Sequence, residues 1–154
     1  MLIPYSVDVP QNHTPVVNWL IVAAVIGAFL LQVAAITADA EAGMSIEEQA
    51  EVGAISPFIL KGWNPLGIVG HIWLHGGLFH LVGNLIFLWV FGNAVCSKLG
   101  NLWYPPLYIG LGVLAGVSHL LFCGGRAIGA SGAINGVVGM YLVFFPENSV
   151  SCML

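Results

Sequence analysis

Charged side chains are the scarcest feature of this sequence. Its 154 residues hold three Lys or Arg and seven Asp or Glu, 6% in all, against roughly 25% in an ordinary soluble domain. Three basic residues cannot neutralise a phosphate backbone, which excludes a nucleic-acid partner. The low hydrophobicity and high net charge of a disordered chain are also missing. Hydrophobic residues make up 58%, and mean hydropathy is +0.94. A soluble domain this apolar would lack the polar surface that keeps it dispersed. Cysteine is scarce too. Cys96, Cys123 and Cys152 include no CxxC spacing and are odd in number, so neither a disulfide framework nor a zinc site is supported. Each reads as a small apolar side chain. What remains is one integral membrane domain.

A bilayer core of about 30 Å needs about 20 apolar residues in helix. Four segments are long enough: residues 16–38, 71–95, 104–122 and 127–145. The last three are joined by short connections, which makes neighbours antiparallel. The expected fold is therefore all-α, a polytopic bundle. The first segment is not a signal peptide, despite Ala38-Asp39-Ala40. No Lys or Arg precedes it, and it is too long for an h-region. Asn12-His13-Thr14 matches a glycosylation acceptor, a pattern too short to carry weight.

The long connection, residues 39–70, has a different character. It holds Asp39, Glu41, Glu47, Glu48 and Glu51, five of the seven acids. Ser45 and Glu48 have capping-box spacing and predict a short helix. Repeated Pro and Gly then alternate with Ile, Phe, Leu and Trp. That mixture suits a segment lying partly in the membrane interface. With Lys98 on one side and Lys61 and Arg126 on the other, loop charge does not set an orientation.

Polar side chains within spans are functional candidates. The second segment carries His71, His75, His80 and Asn84. If it is helical throughout, His80 and Asn84 share a face, while His71 and His75 share another that points away. The four would not form one metal cluster, and the first pair lacks a third ligand. His80 and Asn84 also suit an interhelical polar clamp. The fourth segment opens with Gly129-Ala130-Ser131-Gly132. Ser131 falls in the first helical turn, where backbone N–H groups lack intrahelical partners and the dipole is positive. An oxyanion beside Ser131 would meet ready donors. Gly132 and Gly136 form a GxxxG pair that admits a neighbouring helix, so Ser131 also fits a packing role. The second and fourth segments run in the same direction. His80, Asn84 and Ser131 thus lie toward one membrane face, as acyl transfer would require.

Over His71-xxx-His75-xxxx-His80-xxx-Asn84, the LHGG and FLWVFG surroundings, Lys98-Leu99-Gly100 and Gly129–Gly132, the sequence resembles the rhomboid family of intramembrane serine proteases. The resemblance implies a Ser–His dyad with Ser131 as nucleophile. It implies oxyanion stabilisation by His80, Asn84 and the Ser131 amide, with no metal or organic cofactor. It also implies transmembrane protein substrates within the lipid bilayer, a cytoplasmic N-terminus and a first loop on the opposite side. A multi-pass protein of a bacterial cytoplasmic membrane is expected. The family core has six spans, and its general-base histidine lies on the sixth. Four spans are expected here, and that histidine has no counterpart among the 154 residues, so the chain is expected to be C-terminally incomplete. His119, at about the depth of Ser131, is a conceivable substitute that the family does not use. Cys96 stands where a Glu is often found, and Asn135 where some members carry an aromatic. A non-catalytic rhomboid-like binder of transmembrane helices is the alternative. Half of a transporter would need an internal repeat, and none is visible.

Overall fold

The computed structural model describes residues 3–10 and 12–153. Helix α1, Val16–Glu41, is 26 residues long and about 39 Å at 1.5 Å per residue. It carries Asp39 and Glu41 on its last turn, so the first loop begins later than expected. Helix α2, Ile46–Val52, starts at the Ser45/Glu48 capping box. Ser45 N–H donates to Glu48 Oε2 at 2.8 Å, and Glu48 N–H donates to Ser45 Oγ at 3.2 Å. Helix α3, Pro65–Gly70, is opened by Pro at its first turn and by the Asn64 side chain, which accepts from Leu66 N–H. A 3₁₀ turn, His71–Trp73, follows.

The second apolar segment departs from expectation here. It is helical from Leu78, not from His71. Gly77 adopts φ +155°, a conformation that glycine tolerates and a helix does not use. From there α4, Leu78–Phe87, passes through a π-helical turn, Leu88–Gly92, into α5, Asn93–Leu99. Together they form one apolar helix of 22 residues. Helix α6, Tyr104–Phe122, matches the third segment.

Helix α7 is Ser131–Phe144, 14 residues. It starts later than the expected residue 127, because Ala127 is paired with Leu60 and Gly129 has φ +125°. At about 21 Å it is shorter than the hydrocarbon core. Among the described residues, three helices are long and apolar enough to cross a membrane: Val16–Glu41, Leu78–Leu99 and Tyr104–Phe122. The structure is mostly helical. Its one sheet among the described residues is a two-stranded antiparallel ribbon, β1 (Ile3–Val7) with β2 (Val150–Met153).

Small residues set how closely α6 and α7 approach. A Cβ on Gly132 would lie 2.6 Å from Ala115 Cβ, and one on Gly136 would lie 2.7 Å from Leu111 Cδ2. The GxxxG pair thus serves as a packing seam. At the bundle end remote from Ser131, buried Asn18 joins three helices. Its Nδ2 donates to Leu88 O at 3.0 Å and Asn93 Oδ1 at 2.8 Å, and Tyr104 O–H donates to its Oδ1 at 2.7 Å. An amide so placed is affordable only when fully bonded.

Asn18→Leu is expected to lower stability by about 1–3 kcal/mol, since its partners stay buried and unpaired; unfolding in mixed detergent micelles measures this. Gly132→Ala should cost about 1–3 kcal/mol through overpacking. Gly139→Ala, with open space around its Cβ, should be neutral or stabilising by up to about 1 kcal/mol. At the capping box, the Ser45 backbone N–H, and next its hydroxyl, hold the Glu48 carboxyl below its ordinary range. A lowered carboxyl pKa stabilises above the unfolded value, and that contribution fades as pH falls through the folded one. Exchange at the Glu48 amide should therefore accelerate on acidification relative to amides in α1.

Candidate active site

The site is assembled from the starts of α4 and α7 and the segments before them. Ser131 is the first residue of α7, with Ala130 as N-cap. Its own amide and the next two lie in the first turn, unused by the helix. The preceding stretch is fixed by backbone bonds from elsewhere in the chain. Leu60 N–H donates to Ala127 O at 3.1 Å, Ala127 N–H returns to Leu60 O at 3.0 Å, and Gly129 N–H donates to His71 O at 2.8 Å. An ionic cluster lies beside this pairing. Glu51 binds Arg126, just ahead of Ala127, and Lys61, just after Leu60, the latter at 3.3 Å. Glu51 and Arg126 are exposed and Lys61 is partly so, so the backbone pairs, not the charges, set the geometry.

Gly129 makes room for His80. A Cβ at that position would lie 2.8 Å from His80 Cε1, 3.0 Å from Nε2 and 3.8 Å from Ser131 Oγ. His80, Asn84, Ser131 and Asn135 line one cavity of about 310 Å³, walled by Phe79, Phe87 and Ile134. Asn84 is buried, and its Nδ2 has no hydrogen-bond partner. A buried amide donor without a partner is free for a ligand. Gly132 faces away from this cavity, toward Ala115 on α6.

The other histidines fall differently from the helical-wheel expectation. His71 and His75 lie on the 3₁₀ turn and the extended stretch after it, where 100° per residue does not apply. His71 turns to α6: its ring sits against Gly116, and its Nδ1 is 3.0 Å from Gly67 O. His75 does not point away from His80; the two rings lie edge-on with centroids 5.3 Å apart. His119 reaches a second cavity of about 190 Å³ that Ser131, Gly132 and His71 also line. Its Nε2 is buried without a partner. Among the described residues no side chain hydrogen-bonds Ser131 Oγ.

Sequence reasoning missed Gln32. Its side chain bonds both backbone groups of His75: Nε2 donates to His75 O at 2.7 Å, and His75 N–H donates to Oε1 at 2.9 Å. The signal was available, because an amide inside an apolar span is costly unless it has work to do.

These features define a polytopic helical membrane protein with a serine at a helix N-terminus, faced by a histidine and an asparagine one turn apart. The rhomboid domain model matches residues 61–153, more than half of the chain, and the protein belongs to the rhomboid family. Its relatives include RHOMBOID-like protein 5 of Arabidopsis thaliana, 34% identical over 65% of this chain and 33% of that protein. Rhomboid protein 1, mitochondrial, of Saccharomyces cerevisiae is 29% identical over 55% and 27%. Rhomboid protease GluP of Bacillus subtilis is 27% identical over 86% and 25%. The chain thus spans a quarter to a third of the length of these relatives. No solved structure matches it. Plant, yeast and mammalian relatives stand beside the bacterial one, so the expectation of a bacterial membrane is not supported.

Gly129→Ala should strain the backbone by about 1–3 kcal/mol and push the His80 ring out of its seat. Thermal unfolding in detergent reads the first effect. Gly83→Ala, with open space at its Cβ, is the control.

Proposed function

We propose that this protein is an intramembrane serine endopeptidase that cleaves transmembrane proteins, with Ser131 as nucleophile and His80 and Asn84 as oxyanion donors. The observation that carries the proposal is the single cavity shared by Ser131, His80 and Asn84 at the N-terminus of α7. A substrate helix unwinds near its outer end, where small or helix-breaking residues lower the cost of exposing backbone. Ser131 Oγ attacks the scissile carbonyl. The oxyanion receives hydrogen bonds from the Ser131 amide, the Asn84 Nδ2 and the His80 ring, donors already in place before charge develops. The amine leaves protonated, and water then attacks the acyl-enzyme to restore the Ser131 hydroxyl. No metal or organic cofactor enters these steps.

The proton of Ser131 needs a base, and an unassisted serine hydroxyl is a poor nucleophile. The proposal takes the base from a histidine outside the residues described. His119 is not given this part: it lines a different cavity from the one that His80 and Asn84 share with Ser131. The second reading is a rhomboid-like protein that binds transmembrane helices without cutting them. The absence of any hydrogen bond to Ser131 Oγ among the described residues favours it.

Labelling by a fluorophosphonate in detergent, on the full-length protein, separates the two. Ser131 should label and Ser131→Ala should not. Asn84→Ala should label about 10²–10³-fold more slowly, and His119→Gln at the parent rate. A parent that captures transmembrane peptides but never labels would establish the binder. Equal labelling of Ser131→Ala would remove Ser131 from the mechanism.

A further inference from the structure

His80 can serve an oxyanion only through an N–H, and a neutral imidazole carries one N–H on either of two nitrogens. Here the choice is made by backbone. Gly76 N–H donates to His80 Nδ1 at 3.3 Å. That bond uses the Nδ1 lone pair and leaves the ring proton on Nε2. Nε2 is also the nitrogen turned to the Ser131 loop, 3.0 Å from where a Gly129 Cβ would stand. The donor is therefore both present and aimed.

Gly76 lies between the 3₁₀ turn and α4, in a stretch with no helical bonds of its own to hold it. The anchor comes from α1. Gln32, only 6% exposed, pairs with both the N–H and the C=O of His75, as a neighbouring strand would. An apolar residue at that level of the span would leave both groups unpaired where water cannot reach them. The His75 ring contributes packing alone, since neither of its nitrogens is hydrogen-bonded. It stands edge-on to His80, with ring centroids 5.3 Å apart.

We propose that Gln32 is a positioning residue that selects the Nε2–H tautomer of His80 through the His75–Gly76 backbone. The inference deepens the oxyanion role proposed for His80 and rests on it. Gln32 does not touch the reacting atoms. It fixes an amide, the amide fixes a tautomer, and the tautomer supplies the donor.

The test is ¹⁵N-histidine NMR of the protein in detergent micelles at about pH 8.5, well above the ordinary histidine pKa, with His80→Gln to assign the signal. The parent should show His80 in one neutral form, with Nε2 protonated and Nδ1 of the unprotonated type. Gln32→Met keeps the shape of the side chain but neither hydrogen bond, and should add the Nδ1–H form. Its fluorophosphonate labelling at Ser131 should slow by at least about tenfold, and by no more than the roughly 10²–10³-fold that losing an oxyanion donor costs. A parent with the proton on Nδ1 overturns the proposal. So does a Gln32→Met that retains parental helicity and an unchanged His80 signal. The first of these is read on the parent alone, so it decides even if the variant does not fold. A parent with the expected tautomer but no labelling sinks the protease reading and leaves the tautomer selection standing.

Discussion

The reciprocal backbone bonds between Leu60 and Ala127 carry the rest of the site. In a bilayer, backbone groups that are not in a helix must find partners within the protein. The stretch before Ser131 cannot be helical, because Gly129 has a positive φ, so its partners come from the first loop. That requirement explains why the loop is structured over most of its length. Leu60 takes Ala127, and His71 takes Gly129. Glu51 gathers Lys61 and Arg126 at the outer edge, where the charges can stay hydrated. The serine is held by a connection some sixty residues away in sequence, and α7 is free to begin where the chemistry needs an open helix terminus.

The same solution recurs on the other side of the cavity. The extended stretch ahead of α4 is also without helical bonds, and it is matched by Gln32 from α1. His80 and Ser131 are thus each introduced by a non-helical segment that a distant polar group completes. Glycine is needed at both junctions, at Gly77 for its backbone conformation and at Gly129 for that and for lack of a side chain.

Much of this was legible in the sequence. The scarcity of charge located the protein in a membrane, the apolar segments gave the order of helices, and the Ser45/Glu48 spacing marked the start of α2. Gly132 and Gly136 announced close helix packing. The grouping of His80, Asn84 and Ser131 followed from chain direction alone. The failures share one cause: the helical period was extended past its end. Residues 71–77 carry no Asp, Glu, Lys or Arg and run directly into the span, but the helix begins only after Gly77, and His75 then lands beside His80 instead of behind it. The late start of α7 has the same origin, in a pairing with Leu60 that no local pattern reports. Gln32 could have been found from polarity inside an apolar run. Its partner could not, since that depends on how α1 crosses α4. The ribbon of β1 with β2 joins the two ends of the chain, which no local signal encodes.

The π-helical turn at Leu88–Gly92 gives the long helix two independent phases. One extra residue in a turn rotates everything beyond it by about a quarter turn relative to a regular α-helix. Before the turn, His80 and Asn84 face α7. After it, Asn93 meets Asn18, and Leu88 at its start offers a carbonyl to the same amide. A uniform helix would tie the azimuth of the reactive end to that of the anchoring end. With the extra residue, either end can be optimised without rotating the other, and a single-residue deletion within 88–92 would couple them again.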